Sequence, residues 1–298
     1  MNLIMEHLNE KSKIMLSYTD EKRIEFINSD FWIGYENAVS ILDSFEELFN
    51  KPRVERMQSI LLLGSTNNGK TDILKRFYNS HKARLEEDSN VNRPVIKLIA
   101  PTQGNLSEFY TDILDQTMVP YRKSNRIEYR KKIAIETLKK LKTKILIIDE
   151  VHNLIMDLSA LKQRLALSEL RYITNAANVS LICAGIKEVH NAFKSDSQLI
   201  NRFELEILKD WRNDDNLSRL LVSFERILPL KNSSNLSEDK IQTKIYEMSE
   251  GLLGEVAKIL RRVAVESILD KTEKITFAKL NRLEWTDPTK RKTQEIIY

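Results

Sequence analysis

The sequence predicts an α/β protein: a parallel sheet sandwiched by helices, followed by an all-helical region. Three observations predict it. Short continuous apolar runs recur at SILLL (59–63), PVIKLIA (94–100), KILIID (144–149) and VSLICAG (179–185). Runs of that length suit strands buried on both faces. Stretches of helical length and period lie between them, and strands alternating with helices imply a parallel sheet. After Trp211 the strand signal stops and only amphipathic helix patterns remain.

Residues 1–30 read as helical and polar, with an N-cap at Thr19 ahead of Asp20 and Glu21. The stretch VSILDSFEELF reads as a helix that ends before Pro52. TDILKRFYNSH, SEFYTDILDQT, EYRKKIAIETLKKL and LALSELRYITNAA are the helices between strands. LEIL (205–208) is a weaker fifth strand. Beyond the polar cluster at Asp210 to Asn216 come NLSRLLVSFERIL, EDKIQTKIYEMSE, EVAKILRRVAVESIL and the shorter FAKLNRL, with a loop at 231–239. The expected organisation is an N-terminal helical extension (1–30), an α/β domain (31–210), a helical subdomain (211–284) and a basic tail (285–298).

Composition narrows the class. Of 298 residues, 42% are apolar and 30% charged, which excludes a disordered chain. Only 7 Gly and 6 Pro occur, so collagen-like and linker-rich classes are excluded too. The formal charge of +4 is too small to imply a nucleic-acid partner by itself; the distribution of charge must carry that inference. Cys183 is the single cysteine, so neither an internal disulfide nor a Cys-based zinc site can form. No apolar run reaches membrane-spanning length, and the first residues do not read as a signal peptide. The expected location is the cytoplasm.

Gly64-Ser65-Thr66-Asn67-Asn68-Gly69-Lys70-Thr71 fits the phosphate-binding pattern G-x-x-x-x-G-K-[ST], with an apolar strand before it and a helix after it. The loop must wrap closely around phosphate oxygens, and Gly64 and Gly69 supply the backbone freedom. Successive amides, including those of Asn67 and Asn68, form an anion nest at a helix N-terminus. Lys70 reaches the outer phosphates and the Thr71 hydroxyl ligates Mg²⁺. The competing reading is a chance Gly-rich turn, which the strand-loop-helix order disfavours.

Asp149 and Glu150 close the strand KILIID. Two carboxylates at the end of a buried strand are costly unless a dication sits there. Asp149 then holds Mg²⁺ and Glu150 is the general base for an attacking water. Asp149 as a plain helix N-cap is the alternative for that residue alone. A base aimed at water favours hydrolysis over phosphate transfer and argues against a kinase. Arg202, in SQLINRFE, is either a catalytic arginine acting on a neighbouring subunit or a surface residue pairing with Glu204 or Glu206. Residues 122–144 hold ten Lys/Arg against two Asp/Glu, with Tyr121 and Tyr129 interleaved. Ile127, Ala134, Leu138 and Leu141 form an inward stripe on the helix, so a nucleic-acid role fits better for the lead from Tyr121 to Arg126. None of the four His has metal-ligand spacing with another.

RMQSILLLGSTNNGKTDILKRF, ILIIDEVHNL and WIGYENA together resemble the TniB/TnsC-type transposition proteins, which are AAA+ ATPases, from about Arg23 to Leu283. The resemblance implies an ATP-dependent regulator of DNA transposition. Such proteins assemble on double-stranded DNA as rings or helical filaments, hold ATP and Mg²⁺ between subunits, and connect a target-selection protein to the transposase. It implies phosphate and Mg²⁺ binding by Gly64, Asn67, Asn68, Gly69, Lys70, Thr71 and Asp149, and an adenine pocket lined at Ile33 and Gly34. It implies Glu150 and a trans-acting Arg202 as catalytic residues, and Thr102, Gln103, Arg122, Lys123 and Arg126 as DNA contacts. Two departures bear on hydrolysis. Cys183-Ala184-Gly185 stands where many AAA+ proteins place a polar sensor, and Gly251-Leu252-Leu253-Gly254-Glu255 where many have an Arg. Both leave open slow turnover, with ATP mainly holding an oligomer. An initiator-like nucleotide switch acting on a protein partner is the alternative function.

Overall fold

A computed structural model describes residues 6–87, 91–122 and 126–293. The chain begins with α1 (Glu10–Met15), α2 (Asp20–Asn28) and α3 (Glu36–Asn50). The apolar run at 59–63 lies in β1 (Ser59–Gly64), and α4 (Lys70–Ser80) follows its loop. A small antiparallel pair, β2 (Arg84–Leu85) and β3 (Val91–Asn92), precedes β4 (Val95–Ile99). A 3-10 turn (Thr102–Gly104), α5 (Leu106–Thr117) and α6 (Ile127–Lys140) lead to β5 (Ile145–Asp149). Then α7 (His152–Ile155) and α8 (Ala160–Ala177) precede β6 (Ser180–Gly185), and α9 (Val189–Lys194) and α10 (Ser197–Ile200) precede β7 (Phe203–Leu208). The remainder is helical: α11 (Asp215–Ile227), α12 (Asp239–Ser249), α13 (Leu253–Leu269), α14 (Phe277–Arg282) and α15 (Pro288–Thr293).

The apolar runs become one parallel sheet in the order β4-β5-β6-β1-β7. Every residue of β1, β5 and β6 is buried, which is why their sequences run apolar without alternation. β7 is an edge strand, and its middle positions reach solvent, so its sequence alternates Glu204, Leu205, Glu206, Ile207 and signals weakly. Leu61 and Leu63 face a core shared with Ile96, Leu98, Leu146, Ile148, Leu170 and Leu181. On the other face of the sheet Phe45 of α3 meets Phe77 of α4 edge-on at 5.4 Å. Because all strands are parallel, their C-terminal ends, and the loops that follow them, share one edge.

The chain divides into two compact units. Glu36–Lys209 carries the sheet; Met1–Tyr35 together with Asp210–Tyr298 forms a helical unit. The N-terminal helices therefore are not an extension of their own. Ile27 lies in one core with Leu217, Leu221, Leu260 and Ile268. The buried Arg23 guanidinium pairs with buried Glu273 and donates to the Pro229 carbonyl at 2.6 and 3.2 Å. Residues 31–35, which the sequence assigned to the α/β domain, also belong here. Phe31 meets Phe224 edge-on at 6.0 Å and Tyr35 meets Trp211 at 5.0 Å. These partners lie some two hundred positions away, so no local pattern announces them. Thr19 stands at the N-cap of α2 without a capping hydrogen bond to the backbone; its hydroxyl serves the Glu21 carboxylate instead.

The described part of the basic tail makes specific contacts. Within α15, Arg291 pairs with buried Glu255 and lies over the Trp285 ring at 5.5 Å, while the Thr289 amide donates to Glu250 at 3.1 Å. Burial would raise the Glu255 carboxyl above its ordinary value, but Lys258 and Arg291 outweigh it and hold it low. Among the described residues no helix is long and apolar enough to cross a membrane.

Glu225 organises the loop that follows α11. Its carboxylate accepts from the amides of Ser234, Asn235 and Leu236 at 2.7, 3.0 and 2.9 Å and from the Ser233 hydroxyl at 2.7 Å. Burial pushes this carboxyl up, yet these donors outweigh burial and lower it below the usual 4.5. A lowered native value gives stability that is full above the unfolded-state pKa and is lost as pH falls through the native one. Glu225→Gln is expected to destabilise the helical unit by about 2 kcal/mol at pH 7. The deficit relative to wild type should shrink toward zero in denaturant unfolding below the native pKa. An equal deficit at neutral and strongly acidic pH would contradict it.

Candidate nucleotide-binding site

The turn after β1 has no room for side chains at its first residue. A Cβ on Gly64 would stand 3.0 Å from both the Leu208 carbonyl oxygen and the Leu208 Cβ. Further along, Asn67 (φ 62°) and Gly69 (φ 93°) take left-handed backbone. Left-handed residues within a turn gather successive N–H groups into a concavity that suits an anion. α4 starts at Lys70, so its positive N-terminal end faces the same turn. Lys70 is buried, and its ammonium donates to the carbonyls of Gly64 at 2.8 Å and Ser65 at 2.9 Å. Thr71 is exposed on the first turn of α4. Asn68 is buried, and its side-chain amide donates to the Lys209 carbonyl at 3.0 Å. That bond ties the loop to the end of β7 through the Asn68 side chain.

Asp149 ends β5 and is buried. One carboxylate oxygen accepts the Glu150 amide at 3.0 Å, and the other lies 3.2 Å from the Lys97 ammonium on β4. Glu150 has φ 53°, a left-handed conformation that costs a non-glycine residue roughly 1 kcal/mol or more. Its carboxylate lies 3.3 Å from His152 Nδ1. The loop after β1 and the acids after β5 share one sheet edge, separated by β6. Cys183 pairs in register with both Leu61 and Ile148. Two strand spacings then put the phosphate loop and the acids roughly 10 Å apart across the sheet. β6 ends there in Cys183, Ala184 and Gly185, all buried, and burial pushes the Cys183 thiol up. No polar side chain stands at that strand end.

Arg202 is not at this edge. Ser59 pairs with Phe203 and Gly64 with Leu208, and the Ser59 amide donates to the Arg202 carbonyl at 2.8 Å. Arg202 is therefore at the opposite end of the strands, roughly 20 Å from Gly64 at the usual rise per residue. Its guanidinium donates to Asn175 Oδ1 at 2.6 Å. It does not pair with Glu204 or Glu206; Lys51 lies 3.3 Å from Glu204, and Ser44 donates to Glu206 at 2.7 Å. Both glutamates lie on one face of β7, toward α3, while Arg202 precedes the strand and turns to Asn175 of α8.

Ile33 and Gly34 lie in the helical unit, Ile33 partly packed on its core and Gly34 exposed. Thr102 and Gln103 are exposed in the 3-10 turn after β4, with Gln103 left-handed at φ 59°. Arg122 and Arg126 are exposed, the latter at the N-cap of α6, and Lys123 lies outside the described residues. Tyr121 packs partly on the sheet core, so the lead into α6 is less free than its sequence suggests. Much of the basic run is engaged internally: Lys131 with Glu169, Lys142 with Glu86, Arg130 with Thr111, Lys144 over the Phe49 ring.

Residues 23–213 match the family described as Bacterial TniB protein, well over half of the chain. The chain belongs to the TniB family. No curated protein matches it. Its fold is similar to that of Cdc6p from Pyrobaculum aerophilum, at a TM-score of 0.59 and 14% identity, over 86% of this chain and 68% of that one. It is similar to the Walker-type ATPase paby2304 of Pyrococcus abyssi (TM-score 0.53, 17% identity, 86% and 71% covered). It is also similar to a chain of Drosophila ORC bound to DNA (TM-score 0.58, 12% identity, 89% and 65% covered). At these identities the likeness is one of fold: this TniB-family chain has the AAA+ ATPase fold, a five-stranded parallel sheet with flanking helices and a helical region after it.

Sequence reasoning missed two contributors to the site of this TniB-family chain. Lys97 had a signal: it is the one charged residue inside the apolar run PVIKLIA. The Asn68 bond had none, because its acceptor is a backbone carbonyl 141 residues away. Breaking a buried ion pair strands the remaining charge. Lys97→Met is expected to cost about 3 kcal/mol in nucleotide-free protein, and Lys97→Met/Asp149→Asn to regain most of it. Chemical denaturation of these two variants and of Asp149→Asn checks this; strict additivity of the single effects would show that the pair is not coupled.

Proposed function

We propose that this chain is an ATP-dependent, DNA-binding regulator of transposition that oligomerises on duplex DNA and links a target-selection protein to the transposase. The observation that carries the reading is the phosphate loop and the Asp149-Glu150 pair at one edge of the sheet in a chain of the TniB family. The Gly64–Thr71 turn cradles the triphosphate with backbone amides, and Lys70 exchanges its two carbonyl partners for phosphate oxygens. The donor set suits Mg²⁺, since a hydroxyl and a carboxylate are hard oxygen ligands. Thr71 and Asp149 hold it, and it supplies charge neutralisation on the phosphates. Glu150 takes the proton of the attacking water.

The position of Arg202, at the far edge of its own sheet, supports a role on the nucleotide of an adjacent copy. ATP then joins subunits, and hydrolysis releases them. Thr102, Gln103, Arg122, Lys123 and Arg126 are the proposed DNA contacts. The missing polar side chain at the end of β6 supports slow turnover. The internal pairing of Lys131, Lys142 and Lys144 favours a second reading, a nucleotide switch acting on a protein partner in the manner of an initiator-like ATPase.

Sedimentation with linear duplex DNA separates the two. Wild-type protein is expected to pellet with DNA only when ATP or a slow analogue is present, and less so as salt rises. Lys70→Ala should abolish this. Glu150→Gln should keep it while lowering kcat by about a hundredfold or more. Loss of DNA binding in Glu150→Gln would count against the mechanism, and ATPase activity indifferent to DNA and salt would select the protein-partner reading.

A further inference from the structure

A lysine inside a strand of a parallel sheet is an expensive residue, because a charge taken out of water must be paired to be tolerated. Lys97 is such a residue. It stands in the middle of β4, between buried Ile96 and Leu98, with its side chain 19% exposed. In register Lys97 neighbours Ile147, and Ile99 neighbours Asp149. Alternation therefore puts Lys97 and Asp149 on the same face of the sheet, opposite the core that takes Leu146 and Ile148. From one strand aside and two residues back, the ammonium reaches to 3.2 Å from the Asp149 carboxylate.

The charges of this sheet edge are thereby divided. Lys70 donates to the carbonyls of Gly64 and Ser65, and Glu150 lies against His152. Among the described residues Lys97 is the one cation within ion-pair distance of Asp149, and it pairs with no other carboxylate. Asp149 is buried, so its charge is poorly screened and acts strongly on whatever the phosphate loop holds. A triphosphate is strongly anionic. With the ammonium beside it, Asp149 presents little net charge to such a ligand; without it, the carboxylate repels the ligand and attracts a divalent cation more strongly.

We infer that Lys97 is a fixed counter-charge of the proposed nucleotide site. By neutralising Asp149 it lets a nucleoside triphosphate bind with little help from a divalent cation, and it weakens the hold of Asp149 on that cation. The inference rests on the proposed nucleotide site and adds the residue that sets how far binding there depends on Mg²⁺.

The test measures binding of a fluorescent ATP analogue to the full-length protein, once with excess Mg²⁺ and once with excess EDTA. Wild type is expected to lose about tenfold or less in affinity when Mg²⁺ is chelated, and Lys97→Met about a hundredfold or more, because the bare Asp149 charge then repels the phosphates. Lys97→Arg, which keeps the charge, should behave as wild type. A pair that serves only the fold moves none of these ratios. Asp149→Asn and Lys97→Met/Asp149→Asn leave no uncompensated carboxylate and differ only at position 97, so they read the lysine charge even if Lys97→Met does not fold. With EDTA, Asp149→Asn should bind the analogue about tenfold tighter than the double variant. Equal affinities of those two, or an equal loss on chelation in wild type and Lys97→Met, overturn the inference and leave the nucleotide reading standing. Wild type that binds the analogue in neither condition overturns that reading itself.

Discussion

The parallel alignment of β1, β5, β6 and β7 is the constraint on which the chemistry of this chain depends. Parallel strands finish together, so the phosphate loop and the acids emerge side by side although 78 residues separate Thr71 from Asp149. The same alignment sends Arg202 to the other end, because it precedes its strand while the others follow theirs. Arg202 and the phosphate loop therefore stand at opposite ends of one strand pair.

The alignment was largely readable from sequence because it is carried by local pattern. Strands buried on both faces read as unbroken apolar runs, and the phosphate loop needs glycines and a lysine at fixed spacing. The Asp149-Glu150 pair stands out because charge directly follows Ile148 in a buried strand. What sequence did not show depends on distance along the chain. The Asn68 amide meets a carbonyl at Lys209, Arg23 meets Glu273, and Tyr35 meets Trp211. Each partner is chosen by the finished fold, and nothing near Arg23 announces a glutamate 250 positions later. Lys97 is an intermediate case. Its charge inside an apolar run was visible, but its pairing with Asp149 follows only once β4 is known to neighbour β5.

Buried polar groups help to hold the helical unit. Buried Arg23 pairs with buried Glu273, buried Glu225 meets four donors, buried Lys279 meets Asp270 and Ser267, and buried Glu255 meets the more exposed Lys258 and Arg291. Such groups add less net stability than apolar packing of the same volume, but leaving any of them unpaired is strongly unfavourable. The unit therefore has one well-defined way to pack, and its N-terminal helices are fixed to it by charge as well as by Ile27.

That unit is written in two pieces, Met1–Tyr35 and Asp210–Tyr298, with the whole sheet unit between them. On the ribosome, which emits about 5–20 residues per second, α1 and α2 appear first and their partners last. The strands from Ser59 to Leu208 are all available for pairing while Leu8, Ile27 and the Arg23 guanidinium still lack the helices that bury them. A nascent chain halted after Lys209 thus carries every strand of the sheet but leaves a pair of sticky leading helices, the kind of exposed apolar surface that chaperones hold.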